Sequence, residues 1–72
     1  MPTELDLRGL TCPLTWARAK VRLEPLSRGS KVMLLVDDAQ SARDLPRAAE
    51  AAGYCVLAVE QEGDTWRLLL EV

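Results

Sequence analysis

The chain has 72 residues, with nine Lys and Arg against eleven Asp and Glu, a formal net charge of −2 and no histidine. This length fits one domain over residues 1–72, and a hydrophobic content of 49% argues against a disordered chain. The balanced charge gives no reason to expect direct binding to nucleic acid, and the lack of histidine removes the commonest general base and metal ligand.

The first predicted elements are a strand and a helix. Residues 4–8 alternate polar and apolar side chains, which is typical of a short half-buried strand, and Gly9 ends it. Proline is favoured at the first position of a helix, and a later proline stops one, so Pro13 and Pro25 predict a helix over residues 13–24.

This predicted helix has two apolar stripes when its residues are placed at 100° intervals. The stripe with the larger area is assigned to the core and consists of Trp16, Ala19, Leu23 and Leu26. The second stripe is expected to be partly exposed and consists of Leu14, Ala17 and Val21. Two interpretations of the second stripe stay open: sideways packing against the next helix, or a docking surface for a partner.

A buried strand comes next. Residues 31–36 form a short, nearly continuous apolar run, which favours a strand over a helix. The pair Asp37-Asp38 closes it. Two carboxylates can suggest a metal site, but no third ligand lies nearby in the sequence. We therefore interpret the pair as a strand-ending turn that leads into a helix.

The alanine-rich residues 41–52 predict a second helix, and Gly53 is suited to cap its C-terminus. Pro46 is awkward in a helix interior. Either Asp44 is the N-cap, which places Pro46 in the first turn, or a short turn begins at Ser41 and is broken or bent at the proline.

Two strands complete the chain. Residues 54–60 alternate weakly and predict a central or near-central strand, residues 62–64 form a turn, and residues 65–72 form the last strand of a hairpin. The order β-α-β-α-β-β predicts an α+β two-layer sandwich. It has one four-stranded mixed sheet with both helices on one face.

The two cysteines have different predicted roles. They are too few for the disulfide scaffold of a small secreted domain, and no CxxC occurs. Residues 1–8 lack an apolar signal-peptide run, and no apolar stretch approaches membrane-spanning length, so we expect a cytoplasmic protein. Cys55 lies in an apolar strand and is interpreted as an inert core residue. It would act as a resolving thiol only within disulfide reach of Cys12.

Cys12 is the candidate reactive group. The backbone N–H groups and the dipole at a helix N-terminus lower the pKa of a thiol, and Pro13 fixes the backbone beside it. A small buried cysteine is the alternative interpretation. The same surroundings would stabilise a persulfide anion, and sulfur exchange between thiols needs no base, metal or cofactor.

Basic residues near Cys12 in the sequence are Arg8, Arg18 and Lys20. The spaced residues Arg18, Lys20 and Arg22 are interpreted as a solvated helix face, with a patch for an acidic partner as the alternative. The two tryptophans, Trp16 and Trp66, are assigned to the core and the sheet face. A base-stacking role is not expected for them.

Residues 5–14, Leu-Asp-Leu-Arg-Gly-Leu-Thr-Cys-Pro-Leu, resemble the N-terminal signature of the TusA/SirA-like sulfur carriers. The resemblance continues at residues 36–38, at residues 44–46 and at Gly53, so it covers residues 5–72. It implies a βαβαββ fold and a persulfide on Cys12. Relatives of this kind relay sulfur towards tRNA thiolation, cofactor synthesis or sulfur oxidation.

The resemblance implies a sulfurtransferase of the persulfide-carrier type. Cys12 would accept sulfur from a cysteine desulfurase or a rhodanese-like donor and pass it to an acceptor protein thiol. We expect no cofactor, no metal, no direct contact with nucleic acid or a membrane, and a monomer. Two alternatives are a regulatory or protein-interaction module of the same fold, and a thiol redox sensor that uses Cys12.

The expected site residues surround Cys12 in the sequence. Pro13 positions the cysteine, Arg8, Gly9 and Thr15 support it, and partner docking is assigned to Leu14 and Arg18. The family motif is Cys-Pro-x-Pro, whereas this chain has Thr15 in place of the second proline. Thr15 restores a backbone N–H that is expected to be orphaned in the first helical turn. The fold should survive, whereas the local rigidity and the contour seen by a partner should differ.

Overall fold

The computed structural model describes residues 3–11 and 14–72. The chain forms β1 (Thr3–Asp6), α1 (Leu14–Leu23), β2 (Lys31–Val36), α2 (Ala39–Ala51), β3 (Cys55–Glu62) and β4 (Thr65–Glu71). The predicted order βαβαββ and the α+β class are confirmed. In the described ranges neither helix, of 10 and 13 residues, is long and apolar enough to cross a membrane.

The four strands form one mixed sheet in the order β1-β2-β4-β3. β1 is parallel to β2, and β4 is antiparallel to both β2 and β3. A parallel pair of strands needs a crossover connection, which α1 supplies. The predicted central place of β3 is wrong, because β4 folds back between β2 and β3 and leaves β3 at one edge, opposite β1.

The core lies between one face of this sheet and the two helices. Val32, Leu34 and Val36 alternate along β2 and are fully buried, and Leu70 and Leu68 lie opposite Val32 and Leu34 on β4. Burial on alternate residues is the period of a strand with one covered face. The helices complete the core with Ala19, Leu23, Ala42, Leu45 and Ala49.

Helix α1 presents its two stripes as predicted. Ala19 and Leu23 are fully buried, and Trp16 packs against the core while half-buried. On the other stripe, the side chains of Leu14 and Val21 are 62% and 68% exposed. This exposure rules out the interpretation that they pack sideways against α2.

Helix α2 begins earlier than predicted. Its N-cap is Asp38, whose extended backbone (φ −105°, ψ 120°) allows the carboxylate to accept the N–H of Ser41. The alternative that Asp44 caps the helix is therefore wrong. Pro46 lies inside α2, where its missing N–H deprives the carbonyl of Ala42 of its usual helical donor.

The C-terminus of α2 is closed as predicted by a glycine. Gly53 has φ +94°, and its N–H donates to the carbonyl of Glu50 at 3.0 Å. The N–H of Tyr54 donates to the carbonyl of Ala49 at 2.9 Å. These two bonds form a Schellman motif, which satisfies the last carbonyls of the helix and turns the chain into β3.

Strands β3 and β4 form the predicted hairpin. Glu62 pairs with Thr65, which leaves Gly63 and Asp64 as a two-residue loop. Gly63 has φ +61° and Asp64 does not have a positive φ, the pattern of a type II′ turn. This turn matches the twist of the two strands and fixes their register.

Cys55 starts β3 opposite Glu71, on the face of the sheet away from the helices. Its thiol is free and exposed, so the interpretation of Cys55 as a core residue is wrong. A bulge at Leu57 follows, where the register shifts between Val56 and Ala58. Cys55 is exposed because β3 is an edge strand with only one covered face.

Candidate functional site

Cys12, the predicted reactive residue, and Pro13, the residue predicted to position it, lie outside the described residues. The candidate site is therefore built from the two segments that flank them. Thr11 ends the first described range, and Leu14 opens both the second range and α1. The N–H of Thr15 donates to the carbonyl of Thr11 at 3.2 Å, a helical i to i−4 bond between the two segments.

The segment before Cys12 is a tight turn. The N–H of Leu10 donates to the carbonyl of the buried Leu7 at 3.3 Å, and Gly9 at the third position has φ +87°. These are the features of a type II turn, in which a positive φ favours glycine. The N–H of Gly9 donates to Oδ1 of Asp37 at 2.9 Å, which ties the turn to the end of β2.

Arg8, the second residue of this turn, is bound to Asp6. Its Nε donates to Oδ1 at 2.9 Å and its Nη2 to Oδ2 at 2.8 Å, and its backbone N–H also reaches Oδ1 at 3.1 Å. These hydrogen bonds lower the pKa of Asp6 to about 2 and raise the pKa of Arg8. Both side chains are exposed, and the guanidinium group of Arg8 is bound to the carboxylate of Asp6.

The segment after Cys12 is held by a buried side chain. Thr15 and Ser41 are each 1% exposed, and their hydroxyl oxygens are 2.8 Å apart. The Ser41 hydroxyl is also 2.9 Å from Oδ2 of Asp38, an acceptor when ionised. The single hydroxyl hydrogen of Ser41 therefore goes to Asp38, and Thr15 donates to Ser41. The expectation of an orphaned Thr15 N–H is wrong, because the carbonyl of Thr11 accepts it.

Sequence reasoning missed the burial of Thr15 and its bond to Ser41. A signal was present: Thr15, Ala19 and Leu23 are spaced by four, which is the buried row of α1. Asp38 three residues before Ser41 is likewise the spacing of an N-cap and the N–H that it accepts. The interpretation of Asp37-Asp38 as a turn and helix entry is confirmed.

The exposed stripe of α1 borders a shallow groove. The groove has a volume of about 500 Å³ and is lined by Leu10, Leu14, Ala17, Arg18, Val21 and Arg22. A second groove of about 480 Å³ continues from Leu10, Arg18 and Arg22 to β1. The salt bridges of the described residues join Arg8 to Asp6 and Arg67 to Glu62. Neither groove arginine is neutralised by a salt bridge within that part of the chain.

The acidic residues do not gather elsewhere into a cation site. Within residues 3–11 and 14–72, no group of three or more His, Cys, Asp or Glu side chains is placed to hold a metal ion. Asp37 and Asp38 instead accept hydrogen bonds from Gly9 and Ser41. Their role in the described structure is to hold neighbouring segments.

The family model described as "Sulfurtransferase TusA" matches residues 3–72, almost the whole chain. The chain belongs to the TusA family. A protein of Archaeoglobus fulgidus is 37% identical over 68 residues, which cover 93% of this chain and 77% of that protein. The sulfur carrier protein TusA of Allochromatium vinosum is 32% identical over 68 residues, covering 94% of this chain and 90% of that protein.

A solved structure agrees with the TusA-family assignment. The crystal structure of a SirA-like protein from Desulfitobacterium hafniense superposes with a TM-score of 0.82 at 30% sequence identity. The match covers 97% of this chain and 96% of that one. The resemblance stated from residues 5–72 is confirmed, and the TusA-family fold extends through all six elements.

Proposed function

We propose that this TusA-family protein is a sulfur carrier. It accepts sulfane sulfur as a persulfide on Cys12 and passes it to a thiol of an acceptor protein in a cytoplasmic relay. The observation that carries this proposal is the family match over residues 3–72, a range that includes Cys12. The sulfur carrier TusA of Allochromatium vinosum, similar over 94% of this chain, supports the same role.

The loading step is a thiol exchange. The Cys12 thiolate attacks the outer sulfur of a donor persulfide, R–S–SH. A bond forms between Sγ of Cys12 and that outer sulfur, and the S–S bond of the donor breaks. The donor leaves as a thiolate, R–S⁻, and Cys12 becomes Cys12–S–SH with its proton on the outer sulfur.

The unloading step repeats the exchange in the other direction. An acceptor thiolate, R′–S⁻, attacks the outer sulfur of Cys12–S–SH, so that R′–S–SH forms and the Cys12 thiolate leaves. The sulfane sulfur keeps its oxidation level in both steps. The relay therefore consumes no oxidant or reductant. It requires only that Cys12 carry a nucleophilic thiolate that partner proteins can reach.

The sequence position of Cys12 favours the thiolate. Cys12 lies two residues before Leu14, where α1 begins, and the positive end of a helix dipole stabilises a nearby anion. The first turn of α1 has no acidic residue, so no carboxylate of that turn opposes the charge. Pro13, between the two, is of the residue type that helices favour at their first position.

Partner docking is assigned to the groove beside α1. Leu14 offers an exposed apolar side chain, and Arg18 and Arg22 add positive charge to the same groove. An apolar contact flanked by two arginines fits a partner surface that presents acidic residues beside an apolar centre. Donor and acceptor would use this groove in turn, because the donor must bring its persulfide to Cys12 and the acceptor must bring its thiolate to the loaded Cys12.

Mass spectrometry of the protein after incubation with a cysteine desulfurase and cysteine tests the proposal. We expect one added sulfur atom on the peptide that contains Cys12, retained in Cys55→Ser and absent in Cys12→Ser. The Cys55→Ser control is needed because Cys55 is exposed and free. Sulfur found only on Cys55, or no adduct with several competent donors, would contradict the proposal.

A further inference from the structure

We propose that two adjacent aspartates position Cys12 for sulfur exchange by holding the chain on both sides of it. Asp37 binds Gly9, and Asp38 binds Ser41, which in turn binds Thr15. We call these five residues the aspartate clamp. The inference rests on the sulfur-carrier function proposed above and assigns positioning residues to it.

The two arms of the clamp reach symmetric places in the sequence. Gly9 lies three residues before Cys12, and Thr15 lies three residues after it. Both arms start from the end of β2, the strand whose Val36 is fully buried in the core. The described residues on either side of Cys12 are thus tied to two adjacent residues, Asp37 and Asp38, which lie between β2 and α2.

The arm through Ser41 is the stronger of the two, because it is buried. The hydroxyl groups of Thr15 and Ser41 are shielded from water, so no solvent molecule replaces a partner that is removed. Asp38 accepts both the N–H and the hydroxyl of Ser41, each at 2.9 Å. The chain of bonds therefore leads from the N-cap of α2 to the second residue of α1.

The aspartate clamp restricts the backbone at residue 15. A proline there would restrict the backbone through its ring, which fixes φ. Threonine has no such restriction, and its freedom in the unfolded chain is larger. The bond from Thr15 to Ser41 supplies the restriction through tertiary structure. It holds the first turn of α1, whose backbone dipoles stabilise a thiolate only while they stay in place.

Alkylation of Cys12 by iodoacetamide, measured against pH in a Cys55→Ser background, tests the clamp. Thr15→Val keeps the shape of the side chain and removes its hydroxyl, and Ser41→Ala removes the acceptor. For each variant we expect a raised thiol pKa and alkylation at pH 7 slower by about fivefold, the equivalent of one net hydrogen bond. The double variant should be no slower than the slower single variant, because both remove the same bond.

Two control variants separate positioning from general damage. Thr15→Ser retains the hydroxyl and should keep the pH profile of the parent. Thr65→Val makes the same change at the start of β4, far from the site in the chain, and should leave the profile unaltered. A parent-like profile in both Thr15→Val and Ser41→Ala would overturn the clamp.

Failure of the clamp and failure of the sulfur-carrier proposal give different results. A Cys12 persulfide that forms at the parent rate in Thr15→Val and Ser41→Ala would sink the clamp alone. A shifted alkylation profile without any persulfide on the parent protein would sink the carrier proposal and leave the positioning of Cys12 standing. Urea unfolding of each variant identifies a misfolded one. If Thr15→Val is misfolded, Ser41→Ala decides the matter, and if Ser41→Ala is misfolded, Thr15→Val decides it.

Discussion

The rings of Trp16 and Tyr54 meet edge to face, with centroids 6.3 Å apart and planes inclined by 63°. Trp16 comes from the first turn of α1, and Tyr54 is the last residue of the Schellman motif that ends α2. The pair therefore joins the start of one helix to the end of the other. Trp16 directly follows Thr15 in α1, so this contact lies beside the residue that Ser41 holds.

Tyr54→Leu should destabilise the protein through the loss of this ring contact. We expect the free energy of unfolding to fall by about 0.5–1.5 kcal/mol beyond the change in buried area. Urea unfolding followed by the fluorescence of Trp16, in a Trp66→Phe background, measures it. Tyr54→Phe keeps the ring and should stay close to the parent. Equal stability of the Leu and Phe variants would show that the contact contributes nothing.

Gly9→Ala should cost stability because of the backbone alone. Gly9 has φ +87°, and an added Cβ would meet no atom within 4 Å, so the cost is that of a left-handed alanine, about 1–2 kcal/mol. Gly29 shares the same φ and the same open surroundings. Gly29→Ala is therefore a matched control with a similar loss in urea unfolding.

The two glycine variants should differ in the reactivity of Cys12. Gly9 donates its backbone N–H to Asp37. Alanine keeps that N–H but disfavours the φ of +87° that orients it, so only Gly9→Ala should slow alkylation of Cys12 by iodoacetamide. Slowing of the same size in Gly29→Ala would mean that a general loss of stability, and not the turn before Cys12, controls the thiol.

Leu14→Asp should impair sulfur transfer and leave the fold intact. The side chain is 62% exposed, so a charge there meets water in the free protein but opposes an acidic, apolar partner surface. We expect transfer to fall by roughly tenfold or more, the size of a strong interface contact. Leu57→Asp adds the same charge at another exposed leucine, on β3, the edge strand on the other side of the sheet from β1. This variant should transfer sulfur normally.

Circular dichroism of the Leu14→Asp and Leu57→Asp variants serves as the check on folding. Loss of structure in Leu14→Asp would place Leu14 in the core, against its observed exposure. Normal transfer by a folded Leu14→Asp variant would remove the groove beside α1 from the docking proposal.

The pair of Asp6 and Arg8 should make stability depend on pH in the acid range. Hydrogen bonds from Arg8 lower the pKa of Asp6 from 3.8 to about 2 in the folded protein. The unfolded chain therefore binds more protons between these values, and the stabilisation is present above pH 4 and lost as pH falls towards 2. Because both groups are exposed, salt should weaken the effect.

An NMR titration of the Asp6 carboxyl group measures this shift directly. Arg8→Ala should raise the pKa of Asp6 towards its ordinary value of 3.8, while the backbone N–H of residue 8 remains as a donor. Urea unfolding of Asp6→Asn between pH 4 and pH 2 should lack the contribution of this pair. An unchanged pKa of Asp6 in Arg8→Ala would show that another group lowers it.

Elements with a strong local pattern were predictable from the sequence. The apolar run at residues 31–36 became β2 with the predicted bounds, and Gly53 capped α2 as its type and place indicated. The start of α2 was misplaced, because Asp44 before Pro46 offered a plausible cap, while Asp38 was assigned to the turn that leads into the helix and was not named as its cap. Residue preferences for the N-cap cannot decide between Asp38 and Asp44, because both are aspartates that precede a helical sequence.

Features that depend on strand order were not predictable. Nothing in residues 54–60 indicates that β4 returns between β2 and β3, or that Cys55 starts an edge strand on the uncovered face of the sheet. The partnership of Thr15 with Ser41 likewise joins residues on two different helices. Helical spacing could have predicted the burial of Thr15, but the identity of its partner required the packing of α1 against α2.

The bulge at Leu57 bears on how the protein behaves when it is concentrated. β3 is an open edge that exposes Leu57 and Val59, and such edges invite a second molecule to extend the sheet. The extra residue at Leu57 interrupts the regular spacing of the hydrogen-bonding groups, and Glu60 and Glu62 charge the far half of the strand. We expect an irregular and acidic edge of this kind to disfavour self-templated fibre growth.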